Sequence, residues 1–266
     1  MKILKRLLVG LCGGYIALVL ILFFYQRNLL YYPSDMVPSE TRLAAKQLRY
    51  WPSIEGYRGF TTLKEPDLVR GTIVVFHGNA ATAYHRRYYR DALYQYGFRI
   101  ILAEYPGYGS REGSPTEVTL VSDALETVQQ VYEQYGGPIF LLVESLGSAV
   151  VASTIARTDT PIKGLILLAP WDALADLAFT HYSYLMLHWL VLDEYDSIRN
   201  LADFNGRVAV VLAGQDKIIP VEHGQRLYDS INADKKLWLF KDADHNTVPV
   251  APNLPWWKEV MDFVAQ

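Results

Sequence analysis

Residues 7–25 run without a single charged side chain, and beyond them the chain changes rhythm. Short apolar runs now alternate with longer amphipathic ones. The runs at 72–76, 99–103, 139–143, 164–168, 208–212 and 237–240 are mostly β-branched or leucine-rich and bounded by turn residues. They predict buried strands. Residues 115–134, 148–157, 221–231 and 255–264 read as helices between them. Such alternation predicts an α/β domain, a mostly parallel central sheet with helices on both faces. Functional groups in such sheets gather in the loops at the carboxyl ends of the strands. One stretch breaks the pattern. Residues 171–203 separate two strands and are rich in aromatic and aliphatic side chains, with Tyr182, Tyr184, Leu185, Met186, Leu187, Trp189 and Leu190 close together. That fits a small helical lid over a pocket, and equally an ordinary core helix.

The N-terminal run is about 28 Å long as a helix, close to the hydrocarbon thickness of a bilayer. Lys2, Lys5 and Arg6 precede it, and Phe23, Phe24 and Tyr25 close it. A cleaved signal peptide usually has a shorter apolar region ending in small residues. Here aromatics give way to Gln26 and Arg27, which predicts an uncleaved transmembrane anchor. The basic residues before the run place the N-terminus in the cytoplasm and the domain on the far, periplasmic or lumenal/extracellular face, with Arg27 and Arg42 counting the other way. A lipoprotein site at Cys12 is disfavoured by the large Leu11 and the short apolar stretch before it. The expected organisation is an anchor over 1–27, a juxtamembrane connector over 28–55, and one catalytic domain over 56–266 with its lid at about 171–203.

Composition narrows the chemistry. The chain has 266 residues, 51% hydrophobic and 20% charged, enough apolar mass for one sizeable core. A net charge of −3 gives no basic field for a polyanion, so no nucleic-acid partner is expected. Cys12 is the sole cysteine and the six histidines are scattered, so neither an internal disulfide nor a metal site is expected.

Nucleophilic acyl chemistry needs an exposed hydroxyl, a base beside it, an acid holding the base, and donors for the oxyanion. In LLVESLGSAVV, Ser145 falls at a strand-to-helix junction. A nucleophile elbow wants small residues two positions either side. Gly147 meets that need and Val143 does not. A helix N-cap serine after a buried strand gives a similar pattern. His245 follows the last predicted strand in a polar loop, where a base could reach the serine. Among the other histidines, His85 and His223 fall in charged segments and His181 and His188 in the lid stretch. Asp216, after a strong apolar strand and before Pro220, is the candidate acid; Asp242 and Asp244 share the loop of His245 and are read as shaping it.

Ser145, Asp216 and His245 occur in the chain order of α/β-hydrolases. The strings HGNA, EYPGYGSREGSPTE, VESLGS, AGQDKIIPVEHGQRLY and ADHN together resemble the membrane-anchored α/β-hydrolase-domain lipases and depalmitoylases, including the bud-emergence-type proteins, over roughly residues 56 to 265. The resemblance implies an α/β-hydrolase fold and a cofactor-free serine hydrolase acting on acyl esters or thioesters. It also implies that His77-Gly78 is the oxyanion turn, with the backbone N–H groups of Asn79 and Leu146 as donors. The expected substrate is a small amphiphilic acyl ester or an acylated protein. Val143 departs from the usual glycine, and Glu144 stands where relatives often carry a basic or polar residue. A serine peptidase would use the same triad, and a non-catalytic membrane-tethered binding protein would use the same scaffold.

Overall fold

The computed structural model describes residues 1–185 and 189–266; Met186, Leu187 and His188 of the aromatic-rich stretch lie outside the described residues. Helix α1 (Lys2–Leu30) leads into strand β1 (Tyr32–Pro33), helix α2 (Glu40–Ala44) and strands β2 (Leu48–Trp51), β3 (Gly59–Thr62) and β4 (Gly71–Phe76). Strand β5 (Ala80–Ala81) and helix α3 (Arg87–Leu93) come next. Strand and helix then alternate through β6 (Phe98–Ala103), α4 (Glu117–Tyr135), β7 (Ile139–Glu144), α5 (Leu146–Ile155) and β8 (Ile162–Leu168). Helices α6 (Leu174–Tyr182) and α7 (Ser197–Leu201) precede β9 (Arg207–Ala213), α8 (Val221–Ser230), β10 (Lys235–Phe240) and α9 (Pro255–Val264).

Eight strands form one sheet in the order β10-β9-β8-β7-β4-β6-β3-β2. The six strands expected from the apolar runs are mutually parallel. Their side chains alternate between two interior clusters. Val74, Phe76, Leu141, Val143, Leu165 and Leu167 face one. Ile73, Val75, Phe140, Leu142, Ile166 and Leu168 face the other. Burial on both faces is why the strands other than β10 read as continuous apolar runs rather than alternating ones; β10, at the sheet edge, leaves Lys236 and Leu239 exposed.

Two strands of this sheet, β2 and β3, and the separate pair β1 and β5 were not expected. β2 pairs antiparallel with β3, and β3 antiparallel with β6. β2 lies in the stretch expected as a connector, so that stretch folds onto the sheet edge, burying Leu43, Leu48 and Trp51. The short 80–81 strand pairs with β1 in parallel, Tyr32 opposite Ala80.

Sheet order reverses at β4, which has β6 on one side and β7 on the other. Loops leaving β4 and β7 part at this point and open a crevice beyond the strand ends, where α/β sheets bind ligands. In the β4–β7 register Phe76 lies opposite Val143. The turn after β4 and the residues after β7 are thereby set side by side.

Helix α1 has no buried residue and is long and apolar enough to cross a membrane. Helix α6 also buries none of its residues fully. It lines a cavity through Leu174, Leu177 and Ala178, and Leu174 and Leu177 also pack against the first interior cluster.

Candidate active site

Ser145 stands between β7 and α5 with φ 51° and ψ −121°. A non-glycine residue at positive φ stores strain, of order 1–3 kcal/mol, and persists only where its surroundings fix it. Here the Ser145 N–H donates to the Leu168 carbonyl at 2.9 Å. The turn brings α5 so close to β4 that a Cβ on Gly147 would lie 2.6 Å from the Phe76 carbonyl oxygen. Glycine is therefore required there, as the elbow predicts. The departure at Val143 is accommodated. Its side chain is fully buried in the same cluster as Phe76 and Leu146, and the sharp turn forms above it.

The residues singled out as nucleophile, base and acid come together from three strand ends. Ser145 Oγ lies 3.0 Å from His245 Nε2, and His245 Nδ1 lies 2.6 Å from Asp216 Oδ2. Asp216 Oδ1 accepts the N–H groups of Ile218 and Ile219 at 2.9 and 2.8 Å, so its carboxylate is fixed from the side away from the ring. With Nδ1–H given to Asp216, Nε2 faces the serine hydroxyl as an acceptor. Asp244 keeps to its own loop, accepting the N–H of Asn246 at 2.8 Å.

Across from Ser145, the turn after β4 is held by a buried network. His77 Nε2 lies 2.8 Å from the Glu104 carboxylate, which also accepts the Ala83 N–H at 3.0 Å. Tyr105 donates to the His77 carbonyl at 3.1 Å. A Cβ on Gly78 would sit 3.4 Å from that of Ser145, so the turn passes directly against the elbow. Leu146 opens α5, where first-turn amides have no intrahelical acceptor. Asn79 was read as acting through its backbone alone, yet its side chain has work: Nδ2 donates to the Leu30 carbonyl at 2.8 Å. The Asn79 carbonyl accepts the Tyr32 N–H at 2.9 Å and the Tyr108 hydroxyl at 2.7 Å.

Glu144, unusual before the serine, has its own partners. It pairs with the Arg86 guanidinium and accepts the Tyr89 hydroxyl at 2.8 Å and the Gly78 N–H at 3.3 Å. Burial alone would raise its carboxyl. Arg86 and the Tyr89 and Gly78 hydrogen bonds outweigh that and hold it below the usual value. Arg86 lies 58 residues away in sequence, so no local signal announces the pair.

Ser145 and His245 line a cavity of about 830 Å³. Its walls come from the turns after β4 and β7, Leu174 and Leu177 of α6, the Arg86–Glu144 pair and the C-terminal turns of α1. Among the described residues, no group of three or more His, Cys, Asp or Glu side chains is placed to hold a metal ion.

Of the remaining histidines, His85 bonds within its own turn to Thr82. His181, on α6, donates to the Ile218 carbonyl at 2.9 Å. His188 lies outside the described residues. His223, read as part of a charged segment, is buried instead, its Nδ1 2.6 Å from Asp172 and its Nε2 2.9 Å from Thr180 Oγ1.

A hydrolase family model described as serine aminopeptidase, S33, matches residues 67–194. An uncharacterized protein of Mycobacterium tuberculosis, Rv2307c, is 28% identical over 86% of this chain and 83% of its own length. The lysophosphatidylserine lipase ABHD12 of Danio rerio is 30% identical over 62% of this chain, which spans only 48% of that protein. Among solved structures, the Pyrococcus furiosus esterase Pf2001 superposes with a TM-score of 0.67 at 16% identity, covering 88% of this chain and 97% of that one. At that identity the likeness speaks for the fold, and the fold is the one the sequence strings implied.

Proposed function

We propose that this chain, a member of the α/β-hydrolase superfamily, is a membrane-anchored serine hydrolase that cleaves acyl ester or thioester bonds. The observation that carries the reading is the hydrogen-bonded chain from Ser145 through His245 to Asp216, opening on a cavity with leucine-rich walls.

In this reading His245 Nε2 takes the Ser145 proton as Oγ attacks the acyl carbonyl. Asp216 holds the imidazole orientation and stabilises the imidazolium. The N–H groups of Asn79 and Leu146 receive the oxyanion, and loss of one such donor typically costs about 10²–10³ in rate. His245 then gives its proton to the departing alcohol or thiol. Water, deprotonated by the same ring, attacks the acyl-enzyme, and the proton returns to Ser145 as the acid leaves.

Helix α1 is the anchor. Lys2, Lys5 and Arg6 set the N-terminus in the cytoplasm and the domain on the far face. Arg27, which counted against that orientation, is ion-paired with Asp193 at 3.0 Å. An anchored enzyme with an apolar cavity suits an amphiphilic acyl ester, the class to which the lipase relative's name belongs.

The description of the matching family model favours one second reading, an amide substrate. Full-length protein in detergent micelles, assayed on p-nitrophenyl esters and the matching p-nitroanilides, separates the two. Rapid ester turnover that vanishes in Ser145→Ala is expected. Anilide turnover without ester turnover points to a peptidase, and a folded protein active on neither points to a binding scaffold.

A further inference from the structure

Helix α1 does not stop at the edge of the domain; its last turns form part of the active-site cavity. Leu22, Gln26, Leu29 and Leu30 line the same cavity as Ser145 and His245. Their spacing, i, i+4, i+7 and i+8, is one face of a helix. The lid side chains Leu174 and Leu177 also line this cavity.

That face is held in place on two sides. Towards the lid, Arg27 Nε and Nη2 donate to both carboxylate oxygens of Asp193 at 3.1 and 3.0 Å. Gln26 donates to the Leu190 carbonyl at 3.1 Å and accepts the Leu192 N–H at 2.8 Å. Asp193, 4% exposed, also accepts the Tyr31 hydroxyl at 2.9 Å. Towards the catalytic end, Asn79 Nδ2 holds the Leu30 carbonyl, and the Tyr32 N–H holds the Asn79 carbonyl. The same helix end is thus bonded to the lid and to the expected oxyanion turn. A flexible tether would need neither set of bonds.

We infer that the end of α1 from Leu22 to Leu30 is the acyl-chain wall of the active site. A long acyl chain attached at Ser145 lies against Leu22, Leu29 and Leu30, on the helix that also crosses the membrane. This rests on the ester-hydrolase reading above. Leu22 falls inside the charge-free run 7–25, so the wall is continuous with the surface that lipid chains contact. Each methylene buried against that wall adds affinity, so the site selects for chain length. A domain cut free of α1 loses both the wall and the Leu30 carbonyl that holds the Asn79 side chain.

The test uses the full chain in lipid nanodiscs. The readout is the kcat/KM ratio for p-nitrophenyl hexadecanoate over butyrate. Leu22→Trp and Leu29→Trp, which fill the wall, are expected to lower that ratio about tenfold or more, the scale of a pocket that loses fit for a methylene or two. Phe24→Trp, on the opposite face of α1, leaves the ratio at the wild-type value. A ratio unmoved by both leucine variants overturns the inference. A binding measurement needs no turnover: a fluorescent hexadecanoic acid binds full-length Ser145→Ala protein, and adding Leu29→Trp weakens binding about tenfold. Wild-type protein without ester turnover, but with binding sensitive to that change, breaks the hydrolase reading and leaves the wall. Equal binding with and without the tryptophan overturns the wall whatever the turnover.

Discussion

At the carboxyl end of β7, Ser145 Oγ stands 3.0 Å from His245 Nε2, whose Nδ1 stands 2.6 Å from Asp216. On α6, Thr180 Oγ1 stands 2.9 Å from His223 Nε2, whose Nδ1 stands 2.6 Å from Asp172. The side-chain distances are nearly the same, and the surroundings are not. Ser145 sits at positive φ before the first turn of α5, lining the cavity. Thr180 sits within α6, and its hydroxyl donates to the Asp176 carbonyl at 3.1 Å. Its only proton is committed to the helix backbone, a common habit of helical threonine. The second oxygen of Asp216 accepts two loop amides, whereas that of Asp172 carries an ion pair with Arg226 at 2.6 Å. Three side chains at the right spacing do not make a nucleophile. The backbone at the hydroxyl and its access to the cavity set Ser145 apart. The His223 array serves instead to fasten α6 to α8.

The sharpest break of this comparison is at the two hydroxyls. Ser145→Ala should lower ester hydrolysis by about three orders of magnitude or more, while Thr180→Val stays within about fivefold. Equal effects on kcat/KM would erase the distinction. At the carboxylates, Asp216→Asn should lower kcat by about 10³–10⁴ by turning the His245 ring to the wrong tautomer. Asp172→Ala should cost about 2–4 kcal/mol of stability, because it leaves His223 buried without its partner. Denaturant titration beside steady-state kinetics reads both.

The smallest effect is on the acid side. Burial alone would raise the Asp172 carboxyl, but hydrogen bonds from His223, the Ala173 amide and Arg226 outweigh it and hold it below its usual 3.8. A folded value below the unfolded one means that the unfolded state binds the proton more readily. Stability from Asp172 is therefore complete above 3.8 and lost as pH falls through the folded value. Glu144, held below its usual 4.5, behaves the same way. Stability should fall on acidification below these values, and Asp172→Asn should flatten that fall. An acid limb as steep as wild type in the variant would speak against the paired carboxylate.

Much of this was legible in the chain. Five of the six parallel strands are buried on both faces, so their apolar runs stand out against the helices, while the edge strand β10 exposes Lys236 and Leu239. The elbow announces itself through Gly147, which β4 permits to be nothing larger. What escaped reading depended on distant partners. β2 and β3 are only four residues each, with Gly59 and Thr61 among them, and carry no strong apolar run. His223 reads in sequence only as part of a charged segment, because Asp172, its buried partner, lies 51 residues away. The tie from Asn79 to Leu30 spans 49 residues, so the N-terminal helix read as a tether rather than as a wall of the site.

Ser145 should be the activated hydroxyl of the folded protein. Full-length protein treated with a fluorophosphonate probe, digested and mapped by mass spectrometry, addresses that directly. The predicted result is a single adduct on the peptide containing Ser145, absent from Ser145→Ala and unchanged in Thr180→Val. An adduct on Thr180 or elsewhere, or a folded protein that takes up no probe at all, would contradict it.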